Sequence, residues 1–194
     1  MTGPLVVPVG RYLGMLPVGA GLRHVVRVGG RRVELADDEQ LVWALAHGVP
    51  GAPDLGGWDR AALMRHLPGE AGADATIDRL VAGGLLLEVA GPVEEFARSV
   101  RLLPQALGLG NDPVEGRRFR LGHPGAALVA VPAEIFFLWS WAGLDDNLWT
   151  ACVRGAKTAL PDGSGDPRAL ATTILGALHQ LLSTNAACLD AAPA

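Results

Sequence analysis

The sequence predicts an α+β fold that is mainly helical and divided into two tandem units, each with a β-hairpin and three helices. A glycine-centred hairpin pattern, three amphipathic helical patterns after it, and recurring landmarks later in the chain predict this class. Glu39, Leu41 and Gly48 recur as Glu134, Phe136 and Gly143, each 95 residues later. A shared offset favours a duplication, and the pattern breaks near Pro92, which predicts units at 1–92 and 93–194.

The first unit begins with a predicted hairpin over 22–35. Two consecutive glycines between short apolar strands form a turn that tolerates positive φ at both central positions. Pairing of Val28 with Arg31 would then place Val26 opposite Val33 on an apolar side. The opposite side of this hairpin would carry Arg23, Arg27 and Arg32, together with Glu34.

Three helical patterns follow the hairpin. The first begins at Asp37, which is expected to cap the helix with Gln40 at the reciprocal capping-box position. The second covers 58–67 and the third about 74–83, where two glycines end it. Leucines and valine then predict a returning strand over 85–89.

The second unit repeats this order of elements, with less distinct sequence patterns. Its apolar stretch 126–131 corresponds to the second hairpin strand, and Pro132 begins its first helix. Asp145 or Asp146 is expected to cap the next helix, which runs to about Arg154.

The end of the chain predicts one more helix and no strand. Asp166 followed by Pro167 is a cap with proline at the first helical position, and that helix should reach about Ser183. The tail 186–194 gives no strand pattern, so the returning strand is expected to be missing here, and Cys188 is expected in a flexible tail.

The first helix of the second unit has four aromatic residues in a six-residue window, which makes it apolar on more than one side. They are Phe136, Phe137, Trp139 and Trp141. Such a helix should be buried all round, either as a core helix between the units or at the seam of a homodimer. The core is the preferred interpretation.

Composition restricts the class of protein. A chain with 49% hydrophobic and 19% charged residues should fold, and two cysteines are too few for a disulfide framework or a structural zinc site. A net charge of −4 lacks the basic excess of an electrostatic nucleic-acid binder. The two cysteines fit a reducing cytoplasm, and no membrane span is expected because the longest apolar run is interrupted by Pro132 and Glu134.

The segment 74–89 (DATIDRLVAGGLLLEV) resembles the third helix and first wing strand of winged helix-turn-helix domains. This resemblance implies tandem degenerate winged-helix units and, as one function, a DNA-binding transcriptional regulator. Arg60 and Arg65 would contact the DNA backbone, and Arg79 is the one basic residue on the third helix. Asp74 and Asp78 on the same helix argue against DNA, because carboxylates beside phosphate are repelled.

The hairpin placed before the first helix also resembles PqqD-like peptide-recognition elements of ribosomal-peptide modification systems. In those domains a leader peptide adds a strand to the hairpin, which implies a protein or acidic peptide partner here. The expected binding residues are Arg23, Arg27, Arg32, Arg117, Arg118 and Arg120. The alternative is a solvated hairpin face whose charges protect a sheet edge from aggregation.

No spacing of the five histidines, two cysteines or the aspartates predicts a catalytic site. The expectation is therefore a non-catalytic module that binds a protein or peptide, with DNA as the alternative ligand. No cofactor and no metal are expected, and the protein could form a homodimer.

Overall fold

The computed structural model describes residues 3–19, 21–67, 72–159 and 165–193. The first half contains β1 (Leu5–Pro8), β2 (Arg11–Val18), β3 (Gly21–Val28), β4 (Arg31–Leu35), α1 (Asp37–Leu45), a 3-10 turn (Leu55–Gly57), α2 (Arg60–Arg65), α3 (Ala73–Ala82) and β5 (Leu86–Val89). The second half contains α4 (Val93–Ser99), β6 (Val100–Pro104), β7 (Leu107–Asn111), β8 (Arg118–His123), β9 (Ala126–Pro132), α5 (Ala133–Ala142), α6 (Leu148–Ala159), α7 (Pro167–Ser183) and β10 (Ala187–Ala191).

The fold is α+β, but the prediction of a mainly helical chain was wrong. Helices hold about 41% of the described residues and strands about 32%. Of the strands that the sequence did not indicate, β1, β6 and β10 have partners far away in sequence, whereas β2 and β7 pair with the next strand along the chain.

The strands form four antiparallel sheets among the described residues. Strands β2, β3 and β4 make one three-stranded sheet, and β7, β8 and β9 make another. Strand β1 pairs with β5, and β6 pairs with β10. Each half therefore has a three-stranded sheet, then helices, then a strand that pairs near the start of that half, whereas the duplication itself stays a prediction.

The register predicted for the first hairpin is confirmed. Val28 pairs with Arg31 and Val26 with Val33, and Val26 is completely buried. The sequence did not indicate that β2 covers the other edge of β3, so the predicted hairpin is part of a three-stranded sheet.

Both halves contribute to one continuous hydrophobic core. The backbone N–H of Gly10 donates to Leu189 O at 2.8 Å, which joins the start of β2 to β10. His179 on α7 hydrogen-bonds through Nε2 to Val6 O at 2.9 Å. The boundary near Pro92 stays a prediction.

Several predicted helix starts need correction. Ala36, not Asp37, is the N-cap of α1, and its N–H donates to the Glu39 carboxylate at 3.1 Å. Helix α2 begins after Asp59, which accepts from the backbone of the helix, so Trp58 precedes the helix. Helix α6 starts at Leu148, after the two aspartates expected to cap it.

Helix α7 confirms the Asp166 cap, and its end leads directly into a strand that was not expected. The prediction that the tail has no strand was wrong, because β10 pairs with β6 over five residues. Cys188 lies in this strand and is 4% exposed, so it is not in a flexible tail. Burial raises the pKa of both cysteines, that of Cys152 to about 12, and the thiols are therefore protonated at neutral pH.

None of the helices in the described ranges is both long enough and apolar enough to cross a membrane.

Candidate partner-binding surfaces

Three arginines lie side by side across the first three-stranded sheet. In the strand register Arg11 pairs with Arg27, and Arg27 pairs with Arg32. Cross-strand partners have neighbouring side chains on one face of a sheet. We call Arg11, Arg27 and Arg32 the arginine row. Arg23 lies four residues before Arg27 on the same strand and therefore on the same face.

One buried carboxylate approaches the arginine row. Asp190 on β10 is 4% exposed, and its Oδ2 lies 3.4 Å from an Nη of Arg27. Its other oxygen accepts from the N–H of Gly29 at 2.6 Å, which fixes the turn of the hairpin against β10. Within the described residues, Arg11, Arg23 and Arg32 form no ion pair. The row therefore retains a positive charge.

The outer edge of β4 is next to this row. Strand β4 is hydrogen-bonded to β3 on one side, and in the described ranges no strand pairs with its other side. The edge offers backbone N–H and C=O groups to an added strand.

The second group of predicted binding arginines lies on the other three-stranded sheet. Arg118 and Arg120 point to one face of β8, while Phe119 between them stacks on Phe136 of α5, with ring centroids 4.5 Å apart. Arg118 also donates to Ala130 O. Arg117 is exposed just before β8. The two predicted groups thus lie on separate sheets, and the structure does not join them.

The aromatic helix α5 is not buried all round, which corrects the sequence-based expectation. Trp139 is 4% exposed, and its indole N–H donates to Ala186 O at 2.9 Å, while Phe136 is half-buried. Phe137 and Trp141, one turn apart, are 55% and 58% exposed. They are exposed because helices α6 and α7 cover only part of α5.

A cavity of about 810 Å³ lies beside Phe137 and Trp141, between α5, α6 and α7. We call it the aromatic groove. Its lining is mostly apolar, with Glu134, Arg154 and Thr158 as the polar residues, and the apolar residues are Ala133, Phe137, Leu138, Trp141, Ala151, Gly155 and Leu170. Large apolar surfaces left exposed on a folded chain commonly mark interaction sites.

The arginines predicted to contact DNA are all engaged by carboxylates. Arg60 lies 3.5 Å from Asp74, 2.8 Å from Asp78 and 3.0 Å from Glu88. In the same way, Arg65 pairs with Asp54, and Arg79 pairs with Asp38 and Glu39. The hydrogen bond from Arg65 lowers the pKa of the Asp54 carboxyl. DNA binding by these residues stays a prediction.

A second cleft, of about 420 Å³, was not predicted from the sequence. It lies where β2 and α1 of the first half meet β10 and the end of α7, and Trp43 and His47 form one wall with ring centroids 4.5 Å apart. Burial lowers the pKa of His47 to about 4, while its Nδ1 donates to the carbonyls of Trp43 and Ala44. The neutral ring therefore has an acceptor at Nε2. We call this cavity the junction cleft.

Comparison with protein-family models, with curated proteins and with solved structures gives no match for this chain. The functional proposal therefore depends on the geometry of the surfaces described above.

Proposed function

We propose that this chain is a non-catalytic module that binds an extended acidic segment of a partner protein at the first three-stranded sheet. The observation that supports the proposal is the arginine row, in which three guanidinium-bearing residues occupy adjacent strands in register. Like charges directly opposite each other in a sheet are destabilising, so this arrangement costs the free chain stability.

An acidic peptide would offset that cost. Asp190 neutralises one of the three arginines, and the whole chain carries a net charge of −4, so the row is a local positive surface on an acidic protein. A peptide strand added to the outer edge of β4 would gain backbone hydrogen bonds and bring its carboxylates beside Arg32. The arginine row would then select peptides with negatively charged side chains.

The alternative, a solvated face whose charges protect the sheet edge from aggregation, predicts no ligand. The two interpretations can be separated with a labelled Glu-Val repeat peptide of about ten residues and its Lys-Val counterpart. Fluorescence polarisation at low and high salt measures their binding. We expect only the acidic peptide to bind, and its affinity to fall with added salt.

The variant Arg23→Glu/Arg32→Glu should weaken binding of the Glu-Val peptide by about tenfold or more, because two charge-assisted contacts become repulsive. Arg27 is left intact so that buried Asp190 keeps its partner. The control Lys157→Glu/Arg168→Glu changes the net charge equally on α6 and α7 and should have less than about a twofold effect. Equal losses in both variants, or no binding of either peptide, would contradict the proposal.

For the aromatic groove we propose a second copy of this chain as the occupant. Phe137 and Trp141 form a ridge beside a groove that their own helix helps to line. Ridge and groove are therefore adjacent on one surface, which is the requirement for a two-fold contact in which each ridge enters the partner's groove.

Sedimentation velocity tests this contact. The wild-type chain should form a dimer in the micromolar range, and Phe137→Ser/Trp141→Ser should be monomeric. Leu107→Ser, which removes a residue 54% exposed on β7, is the matched control and should leave the dimer intact. A wild-type chain that stays monomeric at about 100 μM would remove the basis for a second copy as occupant.

The proposal does not extend to DNA. Arg60, Arg65 and Arg79 each lie against at least one carboxylate, which lowers the charge available to phosphate.

A further inference from the structure

We propose that the junction cleft binds a small organic acid, with the carboxylate of the ligand paired to Arg11. The charge of the lining carries this inference. Among the described residues that line the cleft, Arg11 is the one arginine or lysine, and no aspartate or glutamate is present. A cleft of this composition in a chain of net charge −4 selects for an anion.

Arg11 is available for a ligand. Asp190, the carboxylate held in the adjacent strand β10, is occupied by Arg27 and by the N–H of Gly29. Within the described ranges Arg11 has no ion pair of its own. A planar guanidinium matches the two oxygens of a carboxylate, which favours this anion over a spherical one.

The cleft also contains a buried hydroxyl with no partner. Ser183 Oγ is inaccessible to solvent and makes no hydrogen bond within the described residues. Gln40, Gln105 and Asn185 also line the cleft, and their side-chain amides are hydrogen-bond donors. These amide groups give a bound acid hydrogen-bond partners besides Arg11.

One wall of the cleft suits a flat ring. Tyr12 is 39% exposed, its ring lies 6.4 Å from that of Trp43, and its hydroxyl is hydrogen-bonded to His24 Nδ1 at 2.7 Å. The phenol and the neutral His47 ring present apolar surface beside Arg11. The volume of about 420 Å³ is within the range of small-molecule sites, so an aromatic carboxylate fits the chemistry of the site.

The test uses benzoate as the probe and benzamide as its neutral counterpart, followed by two-dimensional NMR of the full chain labelled with nitrogen-15. Benzoate should shift the indole N–H of Trp43 and the side-chain amides of Gln40 and Gln105 in a saturable manner, at least about tenfold more tightly than benzamide. No saturable shift of these groups at about 10 mM benzoate, or equal affinity for benzamide, would overturn the proposal.

Arg11→Gln should weaken benzoate binding by at least about tenfold, whereas Arg32→Gln, which removes the same charge from β4, should leave it unchanged. The spectra of both variants also show whether each remains folded. Unchanged binding in Arg11→Gln, or equal loss in the two variants, contradicts a specific carboxylate site. Arg11 also belongs to the arginine row, so the two proposals are separated through Arg32, which is needed for binding of the acidic peptide and not for binding of benzoate.

The carboxylate could come from a free acid or from the end of a peptide. An acetylated Ala-Phe dipeptide with a free carboxyl end, compared with its amide and with benzoate, distinguishes the sources. Tighter binding of the dipeptide acid than of benzoate identifies a peptide end, and the reverse order identifies a free aromatic acid. Both orders support the site, whereas equal binding of the dipeptide acid and its amide opposes it.

Discussion

Helices α1 and α5 share three buried positions, but the outer side of α1 is covered by the chain that follows it, whereas the outer side of α5 borders an open groove. Three buried residues correspond, Val42, Trp43 and Ala46 in and just after α1 and Leu138, Trp139 and Ala142 in α5, and α5 also buries Ile135. These positions are related by an offset of 96 residues, one more than the offset of 95 between the sequence landmarks. In each helix the buried tryptophan donates its indole N–H to a backbone carbonyl, Val9 O or Ala186 O.

The difference lies at the outward positions. Leu45 in α1 is half-buried, whereas Trp141 at the aligned position in α5 is 58% exposed. The connection after α1 spans 46–59 and folds back, since the indole N–H of Trp58 donates to Leu45 O at 3.1 Å. The connection after α5 spans only 143–147. Loop length therefore explains why one helix is covered and the other borders an open groove.

Removal of Trp58 should have the largest effect, because this residue covers α1 and is completely buried. Trp58→Ala should lower the free energy of unfolding by about 3–5 kcal/mol, measured by urea denaturation, since it leaves a cavity under the connection. Trp141→Ala, the same change on α5, should alter it by less than about 0.5 kcal/mol under conditions where the chain is monomeric.

Trp58→Phe serves as a further control, because it retains a ring but loses the hydrogen bond to Leu45 O. Its effect should lie between those of the other two variants. Equal losses for Trp58→Ala and Trp141→Ala would show that the connection does not distinguish the two helices.

A pH titration sharpens the comparison through His179, whose ring lies 6.3 Å from that of Trp58. Burial lowers the pKa of His179 from 6.5 to about 4. Below pH 6.5 the His179 ring binds a proton in the unfolded chain but not in the folded chain. The free energy of unfolding should therefore fall as the pH drops from 6.5 towards 4. The loss from this residue approaches about 3 kcal/mol near pH 4.

Urea unfolding at several pH values measures the slope of the free energy of unfolding against pH. His179→Gln can still donate to Val6 O and should remove the part of the slope that His179 contributes, leaving that of His47. Gln180→Ala, next to His179 at an exposed position on α7, removes no titratable group and should leave the slope unchanged. A slope that does not change in His179→Gln would mean that other groups control acid unfolding.

Local patterns predicted the elements that depend on local chemistry. The glycine turn set the register of β3 and β4, and the apolar spacing located α3 and α5. Strand β10 was missed because its partner β6 lies far away in sequence, whereas β2 pairs with the next strand along the chain and was missed because of its composition. The segment 11–18 contains Gly14 and Pro17, which disfavour a strand, yet pairing with β3 holds it in one.

The candidate sites were only partly predicted, because some of their residues come from strands and helices that the sequence patterns did not bring together. Arg27 and Arg32 follow from the hairpin alone, but Arg11 joins them only through β2. The junction cleft combines residues as distant as Arg11 and Cys188, so no sequence spacing indicates it. The exposure of Trp141 depends on the length of the following connection, which helical periodicity does not include.

The starts of the two helices give the smallest effect. Neither Ala36, the N-cap of α1, nor Pro132, the N-cap of α5, provides a side-chain acceptor for the first turn. In α1 half of a capping box is already present, because the N–H of Ala36 donates to Glu39. Ala36→Ser adds the missing acceptor and should raise the free energy of unfolding by about 0.5–1 kcal/mol in urea denaturation. Ala36→Val, which has no acceptor, should give no gain, and Ala36→Ser should gain less when Glu39 is also replaced by alanine. A gain that does not depend on Glu39 would show that the serine acts in another way than by completing the box.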